Sequence, residues 1–199
     1  PEVKVPWLPI SVIGTAVAFY VGFKNNSSYD RLWEARKIWG GIVNSSRAWG
    51  SAIIGFIGNQ FTEHEIDKAE IDEVKKLMIY RHIAWLYALR SQLLIPTSWE
   101  HIRQKQGRKR VERQFKTFGV GLYSDDVTQI ELRTYLKDAE YDELINYQNT
   151  ATQIVNRQSE ELAKLRSRNL IDDFRHMELQ NILNEFYDLQ GKSERIKKF

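Results

Sequence analysis

The sequence predicts an all-α fold, on three observations. Trp7 to Phe23 (WLPISVIGTAVAFYVGF) are seventeen positions without a formal charge, and they run directly into a polar string rich in Arg and Trp. Downstream, helix-start and helix-stop signals alternate at helix-length intervals, at Gly55 and Gly58, Thr62, Pro96, Asp138 and Asp172. No strand-like alternation of useful length and no long internal repeat is present.

The first element reads as one long helix, or a helix broken within Phe23 to Asp30, over roughly Pro9 to Ile57. Pro9 suits a first helical turn, where no N–H partner is needed. The uncharged stretch approaches the roughly 20 residues that cross a hydrocarbon core of about 30 Å. Lys24-Asn25-Asn26-Ser27-Ser28 is too polar for hydrocarbon, so an embedded part must end near Phe23. Two stripes run along this helix. Gly14, Ala18 and Gly22 are small enough to let another helix approach closely. Beside them Thr15, Phe19 and Phe23 form a column of side chains on a single line. Further on, Leu32, Ile38, Ile42 and Val43 mix with Trp33, Trp39 and Trp49, an aromatic content typical of membrane interfaces.

Gly55 and Gly58 end this unit. Thr62-Glu63-His64-Glu65 reads as a capping box, in which a Thr hydroxyl and a Glu carboxylate each satisfy a backbone N–H. A helix from Glu63 to Leu94 follows, halted by Pro96. Its second half is strongly apolar yet holds Arg81, His82 and Arg90. Each Arg within a membrane would cost about 2.5–3.5 kcal/mol, so a helix buried in a bundle fits better, with Arg81 and Arg90 partnered by carboxylates. From Thr97 to Asp126 the pattern weakens into a basic run, Arg103, Lys105, Arg108, Lys109, Arg110 and Arg113, relieved by Phe115 and Phe118. Helices are expected again over Asp126–Leu136, Asp138 to about Arg168, and Asp172 to about Lys197, with Asp138 and Asp172 as N-caps.

Composition alone describes a soluble helical protein. The 199 residues are 42% hydrophobic and 28% charged, with a mean hydropathy of −0.49. That length can bury one sizeable core. A net charge of +3 does not mark a general polyanion binder. With no cysteine there is no disulfide framework, thiolate nucleophile or Cys-based metal site. Catalysis finds no support: no HExxH, P-loop, GxSxG or GxGxxG occurs, and the four histidines offer only Asp173-x-x-His176 where a di-iron bundle needs paired Glu-x-x-His motifs. We therefore expect no enzyme, no metal site and no cofactor. The chain opens on Pro1 and stops at Phe199 after a basic run, and we expect a larger protein to continue on both sides.

The string GFKNNSSYDRLWEARKIWGGIVNSSR (Gly22 to Arg47), with the apolar helix before it, resembles the bacterial branch of the bestrophin family of ion channels. Tyr87-Ala88-Leu89-Arg90-Ser91, Asp138-Ala139-Glu140-Tyr141, Ile182-Leu183-Asn184-Glu185 and Gly191-Lys192-Ser193-Glu194-Arg195-Ile196 resemble later family elements, in the family's order. The resemblance leaves out about Thr97 to Thr128, which looks like an insertion. It implies a homopentamer around a central pore in a lipid bilayer, multi-pass in a cell membrane, above a cytosolic helical bundle. It implies passive conduction of small inorganic ions, chloride or other anions by the family's habit, with cation passage open. A pore neck falls on Thr15, Phe19 and Phe23, where Thr15 departs from the usual apolar residue, and a cytosolic aperture falls on Met177. On this reading residues 1–23 are a pore-lining transmembrane helix and 24–96 juxtamembrane and cytosolic helices. Residues 97–128 are a basic insertion, and 129–199 are cytosolic helices leading to the next transmembrane segment. The first, third and fourth transmembrane helices are absent.

Other readings stay open. Phe19 and Phe23 can merely pack against neighbouring helices. Arg31, Trp33, Glu34 and Trp39 suit either internal ion pairing and interface anchoring or a lining that concentrates ions, since Arg31 and Glu34 share a helix face. The 103–113 run could meet phosphates, of nucleic acid or lipid headgroups, although no nucleic-acid partner is expected. A soluble helical scaffold that buries Trp7–Phe23 in a partner is the third reading.

Overall fold

The computed structural model describes residues 7–62, 66–94, 109 and 126–198. The Glu63-His64-Glu65 part of the capping box and, apart from Lys109, the basic 103–113 run lie outside them. The described residues are helical, in accord with the predicted class: α1 (Trp7–Phe56), α2 (Lys68–Leu94), α3 (Asp126–Tyr135), α4 (Asp138–Leu144), α5 (Thr150–Ser167) and α6 (Asp173–Lys198), with a single 3-10 turn at Asn59–Phe61. The chain divides into two units, 1–40 and 41–199.

In the first unit, α1 passes through Phe23–Asp30 without the break the sequence allowed. Two of the polar side chains that threatened it, Ser27 and Ser28, are satisfied on the helix itself. The Ser27 hydroxyl donates to the Phe23 carbonyl at 3.1 Å and the Ser28 hydroxyl to Lys24 at 3.0 Å, so neither competes with the backbone ladder from outside. Thr15 does the same to Ser11 at 2.9 Å.

The second unit is a bundle of the last part of α1 (from Gly41) with α2, α5 and α6, each antiparallel to the next in sequence or space. Gly41 meets Leu189, Trp49 meets Phe186, and the Phe56 carbonyl accepts from Arg175 at 3.0 Å, so α1 and α6 run in opposite directions. Glu70 with Arg168 and Arg81 with Glu161 set α2 against α5. Asp173 with Arg166 and Gln180 with Ser159 at 2.7 Å set α5 against α6. The core is filled by Ile53, Met78, Trp85, Ile154, Leu162 and Phe186, among others, all of them fully buried. Burying side chains of this size is worth about 1.5–3 kcal/mol each.

Several boundaries differ from expectation. α2 starts at Lys68, after Asp67, whose carboxylate accepts from the Ala69 N–H at 3.2 Å. Thr62 instead donates its hydroxyl to the Asn59 carbonyl and closes the 3-10 turn. The helix expected over Asp138–Arg168 is two helices. Asp138 lies in the first turn of α4, whose N-cap, Lys137, makes no side-chain cap, while Asn149 caps α5 by accepting from the Thr152 N–H at 2.9 Å. Asp172 does act at the start of α6, accepting from the Arg175 N–H at 2.7 Å. α5 ends on Asn169 at φ 56°, with Leu170 N–H bonded back to Leu165 and Asn169 N–H to Arg166. This is a Schellman closure in which Asn takes the left-handed position usual for Gly. Trp49 and Ile42, read from sequence as part of an interfacial belt, are buried in the bundle, whereas Trp33 and Trp39 are exposed.

Candidate functional site

The residues singled out in the first helix lie on a segment that the chain leaves bare. Every described side chain from Ile10 to Glu34 is exposed, including Ile10, Val12, Ile13, Val17 and Val21. Phe19 and Phe23 are 64% and 70% exposed. Scattered apolar exposure is ordinary, but a contiguous patch of this kind marks an interaction surface. Apart from the helix's own backbone, no described atom lies within 4 Å of where a Cβ on Gly14 or Gly22 would stand, so the small-residue stripe has room for another helix.

The aromatic column is ordered within itself. Phe19 and Phe23 rings are 6.4 Å apart and stacked at 24°. Thr15, Ala18, Phe19, Gly22, Phe23 and Asn26 line one shallow groove. Both stripes read from the sequence therefore contribute to a single face. Asn26 is the member that the sequence reading missed. Its signal was available, because it stands seven residues after Phe19, and a helix returns to nearly the same line after seven residues.

Around and beyond this face, aromatic residues pair with lysine. Lys24 Nζ lies 5.8 Å from the Tyr20 ring centroid and Lys37 Nζ 5.5 Å from that of Trp33, within cation–π range. Arg31 and Glu34 are exposed on the same stretch. In the second unit Met177 is 63% exposed near the start of α6, one turn after Phe174, itself exposed. Neck and aperture candidates therefore lie in different units. Among the described residues no helix is long and apolar enough to cross a membrane. The seventeen uncharged residues include Pro9, Ser11, Gly14, Thr15 and Gly22, which dilute their hydropathy. No group of three or more His, Cys, Asp or Glu among the described residues could hold a metal ion.

Of the buried polar groups, Arg81 has the partners expected of it. Its Nε is 2.7 Å and one Nη 3.2 Å from the Glu140 carboxylate, and the other Nη is 3.3 Å from Glu161. Trp85 Nε1 donates to Gln190 Oε1 at 3.0 Å, and Gln190 Nε2 turns to Thr152, Glu194 and Asn149. These networks join α2, α4, α5 and α6 and are structural.

The model of the Bacterial/Fungal Bestrophin protein family matches residues 1–199. A voltage-dependent anion channel-forming protein of Ralstonia nicotianae is 51% identical over 55 residues, 23% of this chain and 18% of that protein. One of Mesorhizobium japonicum is 33% identical over 85 residues, 43% of this chain and 24% of its own length. Crystal structures of a bacterial bestrophin homologue from Klebsiella pneumoniae superpose with TM-scores of 0.70 and 0.73 at 18% identity, covering 98% and 99% of this chain. That likeness establishes the fold. The chain spans 57% and 58% of the length of those homologues.

Proposed function

Because this chain belongs to the bacterial and fungal bestrophin family, whose members are ion channels and not enzymes, we propose that it supplies the pore helix and cytosolic bundle of a homopentameric channel. The channel passes small inorganic anions passively across a cell membrane. The observation that carries this reading is the bare aromatic column, Phe19 and Phe23 stacked on the exposed face of an unbroken helix. Repeated around a central axis, the two phenyl groups form apolar rings that offer water no hydrogen bonds and gate by dewetting. Thr15 stands at the outer end of this neck, its hydroxyl held on the Ser11 carbonyl.

The other faces of the helix have complementary roles. Gly14, Ala18 and Gly22 admit the neighbouring helix, and lipid or further helices cover the rest. A helix enclosed by other helices need not be apolar all round, which fits a segment too polar to span alone. Trp33 and Trp39 anchor the boundary, Arg31 and Glu34 decorate the cytosolic mouth, and exposed Met177 lines the narrow exit. Names of the relatives as anion channel-forming proteins support the anion assignment.

Flux from liposomes containing the intact protein tests this. Phe19→Ala is expected to raise ion flux because it widens and wets the neck. Unchanged flux in a correctly assembled variant removes Phe19 from the pore.

A further inference from the structure

The face that carries the neck continues beyond Phe23. Seven residues of α-helix return to within about 20° of the same line. Asn26 therefore stands below Phe19, and Asp30 below Phe23, on a helix unbroken through this region. Asn26 shares the groove of Thr15, Phe19 and Phe23, which fixes the direction in which the face runs. Asp30 is exposed and lies about 10 Å further along the axis than Phe23, at about 1.5 Å per residue.

Charge along this face is sparse. No residue from Trp7 to Phe23 is charged. Lys24 follows directly, but it sits around the helix from the Phe column and its ammonium lies over Tyr20. The helical neighbours of Asp30, three and four positions away on either side, are Asn26, Ser27, Trp33 and Glu34. None is basic, so no intrahelical ion pair of that spacing neutralises the carboxylate. The next basic residue on the column, Lys37, is another seven residues on and lies over Trp33.

We propose that Asp30 sets the balance between anions and cations in this pore, by placing one carboxylate from each subunit just beyond the ring of Phe23. The proposal rests on the reading of Phe19 and Phe23 as the neck. Phenyl rings themselves carry a negative face and a positive edge and so favour neither sign by composition. The first formal charge on the face then shifts that balance toward cations and so limits the anion preference of the channel. Its distance from Phe23 is comparable to the Debye length of about 8 Å at physiological ionic strength, so the carboxylates raise the cation concentration and lower the anion concentration where ions enter the neck. Asn26, between the two, offers an uncharged amide to whichever ion arrives.

Reversal potentials of the intact protein in planar bilayers under a KCl gradient test this. Asp30→Asn is expected to move the reversal potential toward the chloride equilibrium value, with the chloride-to-potassium permeability ratio rising about threefold or more. Asp30→Lys should move it further, and Asp30→Glu should keep the wild-type value. The shift should shrink in 1 M salt, where the Debye length falls to about 3 Å, a dependence that a packing role would not produce. Conducting Asp30→Asn and Asp30→Lys channels with wild-type reversal potentials overturn the proposal. If Asp30→Asn does not assemble, Asn26→Asp gives the test in the opposite sense, and an unchanged reversal potential there overturns it equally. Absence of any conductance in the wild-type protein instead overturns the neck reading on which the proposal stands.

Discussion

His82 Nε2 lies 2.9 Å from the Ser46 hydroxyl oxygen, and that hydroxyl donates its own hydrogen to the Ile42 carbonyl at 2.6 Å. The serine proton is thereby committed, so the imidazole donates from Nε2 and carries its lone pair on Nδ1. Nδ1 is buried without a partner. The ring sits among Phe186 at 4.6 Å, Trp85 at 5.3 Å and Trp49 at 6.4 Å. Burial in this aromatic surround disfavours the imidazolium and lowers the His82 pKa to about 4.

A pH dependence of stability follows. Above pH 6.5 the imidazole is neutral folded and unfolded, and its packing contribution is complete. As pH falls from about 6.5 toward 4, the unfolded chain takes up a proton that the folded one refuses, so stability drops through that window, by on the order of 3 kcal/mol at its lower end. Melting temperature against pH should show this decline, and His82→Phe should flatten it. An equal slope in the variant would assign the decline to other groups.

Arg81 bonds two carboxylates that are themselves mostly buried, with side-chain exposures of 11% for Glu140 and 16% for Glu161, the second of which also pairs with the exposed Lys164 at 3.4 Å. Arg81→Met should cost about 3–5 kcal/mol, because it strands the buried Glu140 carboxylate and leaves Glu161 only Lys164, rather than merely deleting a pair. Arg81→Met combined with Glu140→Gln and Glu161→Gln should recover much of the loss. Urea unfolding midpoints of the two variants distinguish this from a simple packing defect, in which the triple variant would be no better.

Gly41 marks a close approach of α1 to α6. A Cβ there would stand 2.8 Å from Leu189 Cδ2, the far end of a flexible side chain. Gly41→Ala gains about 0.5–1 kcal/mol of helix propensity but must displace Leu189, so the two effects nearly cancel. In a Leu189→Ala background the contact is gone and the full gain should appear in thermal unfolding. Absence of that difference between backgrounds would mean that the helices already separate at this point.

The local features of this fold were legible, and the non-local ones were not. The Thr15, Phe19, Phe23 column follows from a period of 3.6 alone, and Asp172 as a cap from residue type and spacing. That Arg81 needs carboxylates was clear from its apolar surroundings. That they are Glu140 and Glu161, 59 and 80 residues away, was not, because nothing local specifies such a pairing. Trp49 was misread for the same reason. Its one-dimensional neighbourhood looks interfacial, and only the approach of α2 and α6 buries it. The division at Asn149 was visible in principle, since Asn before Thr-Ala-Thr is a capping pattern, but the helical periodicity on both sides concealed it.

Substituted-cysteine accessibility tests the central claim most directly. This chain contains no cysteine, so Phe23→Cys introduces its single thiol. With the intact protein in bilayers, a charged thiol-reactive reagent applied from the cytosolic side should react at position 23 and alter or abolish ion current while doing so. Complete modification, verified by mass, with current unchanged would place that side chain outside the conduction path and contradict the account.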